Sequence, residues 1–359
     1  MGIAVIMAGG FGKRLWPESR LNHPKQFLSL KNRESLIQSV YRRSTRIFGI
    51  ENTFIVTRRE LKESILSHLP HLSSQYVIDE PMGRDTAPCI GFAAIWIRKR
   101  KGDFPMVVLP SDHLIEGEDK FKRVMEVAIK QAEKGHLVTI GIKPTRPETG
   151  YGYLQLGEKI EELSGIPLYK LERFTEKPSQ KKAKEFFESK NFLWNAGMFA
   201  WYPGVILEEI KKYLPPLYEG LKKIEEALGT PDESEIIEKV YPELPSISID
   251  YAVMEKTKKA VVIPADFYWD DIGDWQALER IFPKDEKGNI TKGVVKEIQT
   301  TNSTFINGED KILAAIGVSN VIVVNSEKGL LIVAKELSQK VKNLVDEMLK
   351  DEDLKKYVE

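Results

Sequence analysis

Short apolar runs alternate with segments of helical periodicity along the first half of the chain. The apolar runs are typical of buried strands and lie at Ile3–Met7, Phe54–Thr57, Met106–Leu109 and Leu137–Ile142. Between them, apolar residues recur at helical spacing, on one face at Leu36, Ile37, Val40, Tyr41 and Ile47, and on another at Phe121, Val124, Met125, Ala128 and Ala132. This alternation predicts an α/β domain with a mixed, mostly parallel sheet.

The pattern changes near Gly288, where short β runs follow one another without an intervening helix. They lie at Gly293–Ile298, Ser303–Ile306, Ile312–Ile316, Val321–Val324 and Leu330–Val333. We therefore predict a small β module, a short β-helix or roll, and place the domains at 1–284 and 285–359. The module ends in a predicted helix whose apolar stripe would pack on the body or on a partner subunit, with Leu337, Val341, Leu344, Val345 and Met348 on one face.

A glycine-rich turn follows the first predicted strand and ends in two cations. Gly9, Gly10 and Gly12 allow the backbone to approach a ligand closely, and the N–H groups of such a turn bind anions. The turn lacks the third glycine of the dinucleotide fingerprint, because position 15 is Leu15, and Arg14 stands where the P-loop needs Ser or Thr. Phosphate binding is one interpretation, and an ordinary glycine-rich βα turn is the other.

Composition limits which binding partners and which cellular compartment are expected. The 359 residues contain 53 Lys+Arg and 53 Asp+Glu, so no cationic excess indicates a nucleic-acid partner. The longest apolar stretch, Ala87–Ile97, is shorter than the about 20 residues that span a bilayer, so we expect no membrane segment. No signal peptide is visible, and we interpret the single cysteine, Cys89, as a small core residue. We expect a cytoplasmic protein.

Polar clusters stand where strands are expected to end. In open α/β sheets ligands bind at the carboxyl ends of strands, which places the turn at Gly9–Arg14 and the segment Pro110–His113 on one edge. Asp112 follows a buried strand and could hold a metal beside a phosphate, or cap the next helix. Lys25 could bind a phosphate or be a solvated surface charge. The segment Glu80–Pro88 leads into the apolar helix, and Asp85 or Thr86 could cap that helix.

Taken together, these clusters resemble the nucleotidyltransferases that make nucleotide-sugars, most closely the mannose-1-phosphate guanylyltransferases. The matching blocks cover almost the whole predicted catalytic part in the expected order, at Ala8–Pro17, Pro24–Gln26, Glu80–Pro88, Pro110–His113, Gly150–Tyr153, Phe174–Pro178, Trp194–Met198, Ile249–Lys256 and Trp269–Gly273. The resemblance implies a Rossmann-like nucleotidyltransferase domain. It also implies the reaction GTP + mannose 1-phosphate → GDP-mannose + pyrophosphate.

The resemblance assigns roles to residues of these blocks. Arg14, Lys25, Asp112 and Asp271 would be catalytic, and Asp112 and Asp271 would hold Mg²⁺. The nucleotide would be bound by Ala8, Gly9, Gly10, Gly12, Lys13, Arg14, Glu80, Arg84, Thr86, Ser111 and Asp112. The sugar phosphate would be bound by Gly150, Tyr151, Gly152, Glu176, Lys177, Asn195 and Gly197. A homodimer is a further expectation.

Base choice has a physical basis in this assignment. Guanine presents N1–H and N2–H₂ as adjacent donors, and the ionised Glu80 carboxylate can accept from both. Two positions depart from the family pattern or are ambiguous. Asp85 replaces a usual Asn, and Asp270 precedes Asp271, of which we assign Asp271 to the metal. Three alternatives remain: a transferase acting on another sugar phosphate or nucleotide, a silent nucleotide-sugar-binding regulator, and, disfavoured by Leu15, a NAD-dependent dehydrogenase.

Overall fold

The computed structural model describes residues 2–31 and 34–359. The chain divides into two compact units, which are described separately. The first contains Met1–Gly9, Gln38–Ser111 and Ile115–Trp269, and the second contains Gly10–Ile37, Asp112–Leu114 and Asp270–Glu359. The division into domains at 1–284 and 285–359 stays a prediction.

The first unit is built on a large sheet. The strands up to the end of this unit are β1 (Ile3–Met7), β2 (Thr53–Arg58), β3 (Val77–Glu80), β4 (Met106–Pro110), β5 (Leu114–Glu116), β6 (Leu137–Ile142), β7 (Tyr153–Leu163), β8 (Ile166–Thr175), β9 (Phe192–Trp201), β10 (Ala260–Ala265) and β11 (Tyr268–Asp270). Among the described residues, nine of them form one sheet in the order β3-β2-β1-β4-β9-β6-β10-β8-β7. Only β8 and β9 run against the others, so the predicted mixed, mostly parallel sheet is confirmed.

Helices connect these strands, and β1 and β2 are buried along nearly their whole length, as expected when both faces of a sheet are covered. The helices are α1 (Leu36–Phe48), α2 (Lys62–His68), α3 (Thr86–Arg100), α4 (Glu118–Ala132), α5 (Gln180–Ser189), α6 (Pro203–Tyr213), α7 (Pro215–Ala227) and α8 (Glu233–Val240). Both predicted helical faces fall within helices, α1 and α4. Cys89 is buried in α3, as expected. Within the described ranges no helix has the length and apolar character needed to cross a membrane.

The C-terminal part of the second unit is a β module. Its elements are α9 (Leu278–Ile281), β12 (Ile290–Lys292), β13 (Val295–Ile298), β14 (Thr304–Asn307), β15 (Leu313–Ile316), β16 (Val321–Ser326), β17 (Gly329–Ala334) and α10 (Val341–Met348). Strands β12, β14 and β16 pair in parallel, as do β13 and β15. The Asn325 Nδ2 donates to Asn307 Oδ1 at 2.8 Å, linking successive coils. The predicted β-helix is confirmed.

The apolar stripe of the terminal helix is only partly as predicted. Val341, Val345 and Met348 are buried, but Leu337 and Leu344 are 39% and 44% exposed. Leu337 lies in a 3₁₀ helix rather than in α10. A 3₁₀ helix has three residues per turn, so the α-helical spacing used in the prediction does not hold there.

Candidate functional site

The carboxyl ends of neighbouring strands gather predicted site residues in the first unit. Strands β1 and β4 are parallel and in register, and the Ser111 N–H donates to the Met7 carbonyl at 3.1 Å. On the other side of β1, the Ala8 N–H donates to the Val56 carbonyl at 2.8 Å. The end of β3 brings Glu80 to the same edge. The sheet therefore aligns Ala8, Gly9, Glu80 and Ser111, as the strand-end rule predicts.

Glu80 is a buried carboxyl with specific partners. The residue is 3% exposed, and its Oε1 accepts a hydrogen bond from the Tyr241 hydroxyl. Burial raises the pKa of Glu80 to about 7, although Tyr241, Cys89 and Arg58 all favour its ionised form. The other carboxyl oxygen faces the glycine turn, because a Cβ built on Gly9 would lie 3.8 Å from Glu80 Oε2. One carboxyl oxygen is therefore anchored and the other lies beside the Gly9 backbone.

The start of α3 holds two further predicted nucleotide residues. The Asp85 side chain accepts from the Thr86 N–H at 2.7 Å, so Asp85 caps the helix. The Thr86 hydroxyl accepts from the Ile249 N–H at 2.9 Å and thereby holds a distant segment. Arg84 is half-buried, and its Nε is a buried donor without a hydrogen-bond partner among the described residues. The structure thus gives Thr86 a structural contact and leaves Arg84 with donor capacity.

The predicted sugar-binding blocks come together elsewhere in the first unit. The Asn195 N–H donates to the Gly152 carbonyl at 2.8 Å, and the Lys177 N–H donates to the Tyr151 carbonyl at 3.2 Å. The Lys177 ammonium lies 3.1 Å from Glu176 Oε1. Gly150 is exposed, and the Gly197 N–H donates to Asn195 Oδ1 at 3.1 Å. Backbone hydrogen bonds therefore unite segments that are far apart in sequence.

Gly152 is required by close packing at this cluster. A Cβ at position 152 would lie 2.5 Å from Glu176 Oε2 and 3.2 Å from the Asn195 Cβ. Any side chain there would displace the Glu176 carboxylate, so glycine allows this carboxylate and the Asn195 amide to lie side by side. The arrangement offers a carboxylate, an amide and an ammonium to a polyhydroxylated phosphate ester.

Lys25 organises a separate cluster in the second unit. Its Nζ donates to Asp112 Oδ2 at 2.7 Å and also to the Asp271 carbonyl. The Lys25 side chain is only 9% exposed, so its interpretation as a solvated surface charge is wrong. Gly12 covers the stem of this lysine, because a side chain at Gly12, whose φ is 74°, would collide with the Lys25 Cβ. The lysine side chain therefore fits in this position because residue 12 of the turn is a glycine.

Asp112 is held in its ionised form. Burial alone would raise the pKa of Asp112, but the charges of Lys25 and His113 outweigh it and hold the pKa below its usual value. Burial also lowers the pKa of His113, so Lys25 is the cation that acts on Asp112 at neutral pH. Asp112 is therefore a negatively charged carboxylate beside a lysine.

Asp270 and Asp271 have different environments. Arg280 binds the Asp270 carboxylate through two nitrogens, at 2.5 and 2.9 Å, and Asp270 Oδ1 also accepts from the Ile272 N–H at 2.8 Å. The Asp271 side chain is half-buried, and its carboxylate oxygens lie over Gly273, where a Cβ would come within 3.2 Å. Asp270 is thus occupied by structural contacts, and the assignment of Asp271 to the metal stays a prediction.

Replacing Asp270 with asparagine is expected to lower the free energy of unfolding by about 2 to 3 kcal/mol, because it removes the charged carboxylate that accepts two hydrogen bonds from Arg280. Activity per folded molecule should persist. Urea denaturation measures the first quantity, and assays on the native fraction measure the second. Unchanged stability with lost activity would instead make Asp270 a metal ligand.

The cations of the glycine turn are placed differently. Lys13 forms an ion pair with Asp346 of α10 at 2.6 Å, whereas the Arg14 side chain is exposed. A side chain at Gly10 would meet open space among the described residues. The terminal helix therefore contacts the same turn that was predicted to bind phosphate.

A family model described as nucleotidyl transferase matches residues 3–288. The chain belongs to the nucleotidyl transferase family. A second model, described as MannoseP isomerase/GMP-like beta-helix domain, matches residues 294–348 of this nucleotidyl transferase. Both matches agree with the resemblance stated above, and the prediction that the chain is an enzyme is confirmed.

Relatives of this nucleotidyl transferase cover it almost completely. A mannose-1-phosphate guanylyltransferase of Klebsiella pneumoniae is 39% identical over 99% of this chain and 76% of that protein. One of Escherichia coli is 38% identical over the same shares. The crystal structure of a mannose-1-phosphate geranyltransferase from Thermus thermophilus superposes with a TM-score of 0.86 at 33% identity, covering 97% of this chain and 99% of that one.

Sequence reasoning missed two residues of this nucleotidyl transferase that contact predicted site residues. Asp250 Oδ1 accepts from Asn195 Nδ2 at 3.0 Å, and burial, reinforced by the Glu176 carboxylate, raises the pKa of Asp250 to about 7. Asp250 begins a short π-helix, Asp250–Met254, a feature frequent at functional sites. Asp250 lies in the block Ile249–Lys256, which matches the family pattern, but the sequence alone gave this residue no role. Tyr241, whose hydroxyl donates to Glu80, lies outside every motif found in the sequence.

Cavity volume alone would have pointed elsewhere in the first unit. A cavity of about 1310 Å³ lies among the ends of β6 and β10, the β7–β8 turn and the helices α4 and α5. None of the predicted site residues lines it. The chemical character of the side chains, rather than the size of the cavity, identifies the candidate residues.

Proposed function

We propose that this chain transfers GMP from GTP to the phosphate of mannose 1-phosphate, giving GDP-mannose and pyrophosphate. The observation that carries the choice of nucleotide is the buried Glu80 carboxyl, anchored by Tyr241 at the end of β3. The similarity of the whole chain to mannose-1-phosphate guanylyltransferases supports the choice of sugar.

The nucleotide is bound through its base and its phosphates. Glu80 accepts from guanine N1–H and N2–H₂, with the Ala8 and Gly9 backbone beside it. Arg84 supplies a positive charge. Ser111 lies just after the end of β4 and Thr86 at the start of α3. In the second unit, the N–H groups of Gly10 and Gly12 and the charges of Lys13 and Arg14 bind the triphosphate. Because Lys13 is paired with Asp346, phosphate binding competes with that ion pair.

The carboxylates of the second unit fit a magnesium ion. Asp112 is held ionised and, with Asp271, offers the hard oxygen ligands that Mg²⁺ prefers. No cluster of three or more metal-binding side chains occurs in the described residues, so phosphate and water oxygens would complete the coordination. When bound, Mg²⁺ would neutralise phosphate charge.

The sugar phosphate is bound by the cluster around Gly152. Glu176 and Asn195 accept and donate to mannose hydroxyls, and Asp250 fixes the orientation of the Asn195 amide. Lys177 binds the phosphate of mannose 1-phosphate. The backbones of Gly150, Tyr151 and Gly197 complete this cluster.

The reaction is an in-line displacement. A phosphate oxygen of mannose 1-phosphate forms a bond to the α-phosphorus of GTP, and the bond from that phosphorus to the bridging oxygen of the β-phosphate breaks. Pyrophosphate leaves with the bonding electrons. Such transfers depend on positioning and charge neutralisation. Lys25 stabilises the negative charge that develops on the α-phosphate, assisted by Arg14.

We further propose a cytoplasmic homodimer. The paired strands β13 and β15 expose apolar side chains on one face, with Ile298 and Ile316 as register partners that are 51% and 70% exposed. Val294 and Ile312 are also exposed, at 55% and 64%. Apolar patches of this kind mark association surfaces. Sedimentation of Ile298→Lys against the unaltered chain tests the dimer.

The experiment that tests the function measures pyrophosphate release by the purified chain with Mg²⁺. Each common nucleoside triphosphate is paired with mannose 1-phosphate and with glucose 1-phosphate. Release only with GTP and mannose 1-phosphate supports the proposal. Release with another pair would replace the base or the sugar, and no release with any pair would favour a silent nucleotide-sugar binder.

The Glu80→Gln substitution is expected to reduce the preference for GTP over ATP by about 100-fold, because an amide cannot accept from both guanine donors. The ratio of kcat/KM for the two nucleotides measures this preference. Asp250→Asn is the matched control, since it removes another carboxyl whose pKa is raised and should leave the nucleotide preference intact. An unchanged GTP/ATP ratio in Glu80→Gln would refute the assignment of Glu80.

The pH dependence has a defined direction. Because burial raises the pKa of Glu80 to about 7, this carboxyl is neutral below that pH and cannot accept both donors. The kcat/KM for GTP is therefore expected to rise with pH through about 7 and then level off. Asp250 titrates in the same range, so the comparison of Glu80→Gln with Asp250→Asn decides the origin of the rise. A rise that survives in Glu80→Gln does not come from Glu80.

A further inference from the structure

Arg58 ends β2 directly beside Glu80, which ends β3. The two residues are register partners in the parallel pair, so their side chains leave the same face of the sheet. Arg58 is 18% exposed. A Cβ on Gly9 would lie 3.8 Å from Arg58 Cγ, and one on Gly83 would lie 3.5 Å from Arg58 Cδ. Two glycine backbones therefore flank the stem of this arginine.

The guanidinium of Arg58 is only partly satisfied. One nitrogen, Nη1, pairs with the exposed carboxylate of Glu60. The other two, Nε and Nη2, are buried and have no hydrogen-bond partner among the described residues. The positive charge of Arg58 lowers the pKa of Glu80. Among the described residues, however, Arg58 forms its ion pair with Glu60 and not with Glu80. A half-buried cation and a buried carboxyl thus lie side by side without an ion pair between them.

Unpaired buried donors are unfavourable unless a ligand completes them, and they are uncommon in folded proteins. The guanidinium plane matches two acceptors at once, and guanine presents such a pair in O6 and N7. The neighbouring edge of the same base carries the N1–H and N2–H₂ donors that a carboxylate accepts. Adenine has an amino group in place of O6, so its donor would face the donors of the arginine.

We propose that Arg58 is a guanine-recognition residue, whose Nε and Nη2 donate to guanine O6 and N7 while Glu80 accepts from N1–H and N2–H₂. This inference rests on the proposed function, because it requires GTP to be the nucleotide. It makes the specificity of the enzyme depend on two opposite charges at adjacent strand ends. Neither residue alone contacts both the acceptors and the donors of guanine.

The test compares Arg58→Met with the unaltered chain. Methionine keeps much of the apolar stem and removes every donor. The full-length protein is assayed for pyrophosphate release with GTP, ATP and 7-deaza-GTP, in which N7 is replaced by a C–H group. Isothermal titration of each nucleotide gives Kd independently of turnover. The unaltered chain is expected to bind GTP more tightly than 7-deaza-GTP.

In Arg58→Met, the kcat/KM for GTP is expected to fall about 10- to 100-fold, with ATP changing little. GTP and 7-deaza-GTP should then behave alike, because the donor to N7 is gone. Arg59→Met is the matched control. It is the same substitution at the next residue, where an exposed arginine pairs with Asp79 and Glu238, and it should preserve the preference for GTP over both analogues.

Two outcomes would overturn the inference. Equal losses for GTP, 7-deaza-GTP and ATP would assign Arg58 to a phosphate or to the fold, and an unchanged preference would remove it from base recognition. If Arg58→Met fails to fold, Arg58→Lys keeps the charge but loses the planar pair of donors, and it should also reduce the ratio of GTP to 7-deaza-GTP. If the unaltered chain does not prefer GTP to ATP, the proposed function fails first, whatever Arg58 does.

Discussion

The substitutions Asp112→Asn and Asp271→Asn are each expected to lower kcat/KM for pyrophosphate release by about 10³-fold. Each removes one of the two anionic oxygen ligands that we assign to Mg²⁺. In Asp112→Asn, the Lys25 ammonium also loses its carboxylate partner at 2.7 Å. Titration with Mg²⁺ should show that both variants need more metal for half-maximal activity.

Stability separates this effect from damage to the fold. Asp271 is only half-buried, so Asp271→Asn should unfold at nearly the same urea concentration as the unaltered chain. Asp112→Asn should unfold at a lower urea concentration, because the buried Lys25 ammonium loses its carboxylate partner, and its activity is therefore compared per native molecule. Asp270→Asn, described above, is the control adjacent to Asp271→Asn and should show the reverse behaviour. Full activity in Asp112→Asn at ordinary Mg²⁺ concentrations would exclude Asp112 as a ligand.

The substitution Lys25→Met is expected to lower kcat by about 10²- to 10³-fold. Lys25 is buried, and its ammonium contacts both the Asp112 carboxylate and the Asp271 backbone carbonyl. Its loss removes the charge assigned to the α-phosphate and also the cation that keeps the pKa of Asp112 low. Steady-state kinetics at saturating GTP isolates kcat from nucleotide affinity.

Lys335→Met is a matched control for the burial of a lysine. Lys335 is 8% exposed at its side chain and pairs with Glu279 at 2.6 Å in the same unit, but it has no assigned part in the reaction. This variant should be less stable, with kcat per native molecule unchanged. If Lys25→Met lowered kcat no more than Lys335→Met, Lys25 would be a structural lysine.

Much of the fold is accessible from periodicity. The alternation of strands and helices predicts the parallel sheet, and the run of β segments after Gly288 predicts the β-helix. These predictions succeed because each element must bury one face, and the spacing of apolar residues records which face that is. The predicted apolar stripe of the terminal helix fails at Leu337, which lies in a 3₁₀ helix. The apolar spacing of the sequence does not show that the backbone there departs from α-helical geometry.

Individual polar residues are harder to interpret from sequence. Lys25 looks like any surface lysine until Gly12 covers its stem and two oxygens bind its ammonium. Asp270 and Asp271 differ by one position, and the contacts of Asp270 with Arg280 and with the Ile272 N–H are visible only in three dimensions. Tyr241 lies 161 residues from Glu80 and has no motif of its own. These assignments depend on long-range contacts, which no local pattern encodes.

Local spacing and short motifs were sufficient for the fold class, the glycine-rich turn after β1, and the membership in the nucleotidyl transferase family. The three-dimensional arrangement was needed to establish which charges are buried and which partners they have. It gave Glu80 a pKa of about 7, tied Asn195 to Asp250, and left two buried donors on Arg58. Burial and hydrogen bonding are properties of neighbours in space, and they set the chemistry of a carboxyl or guanidinium group.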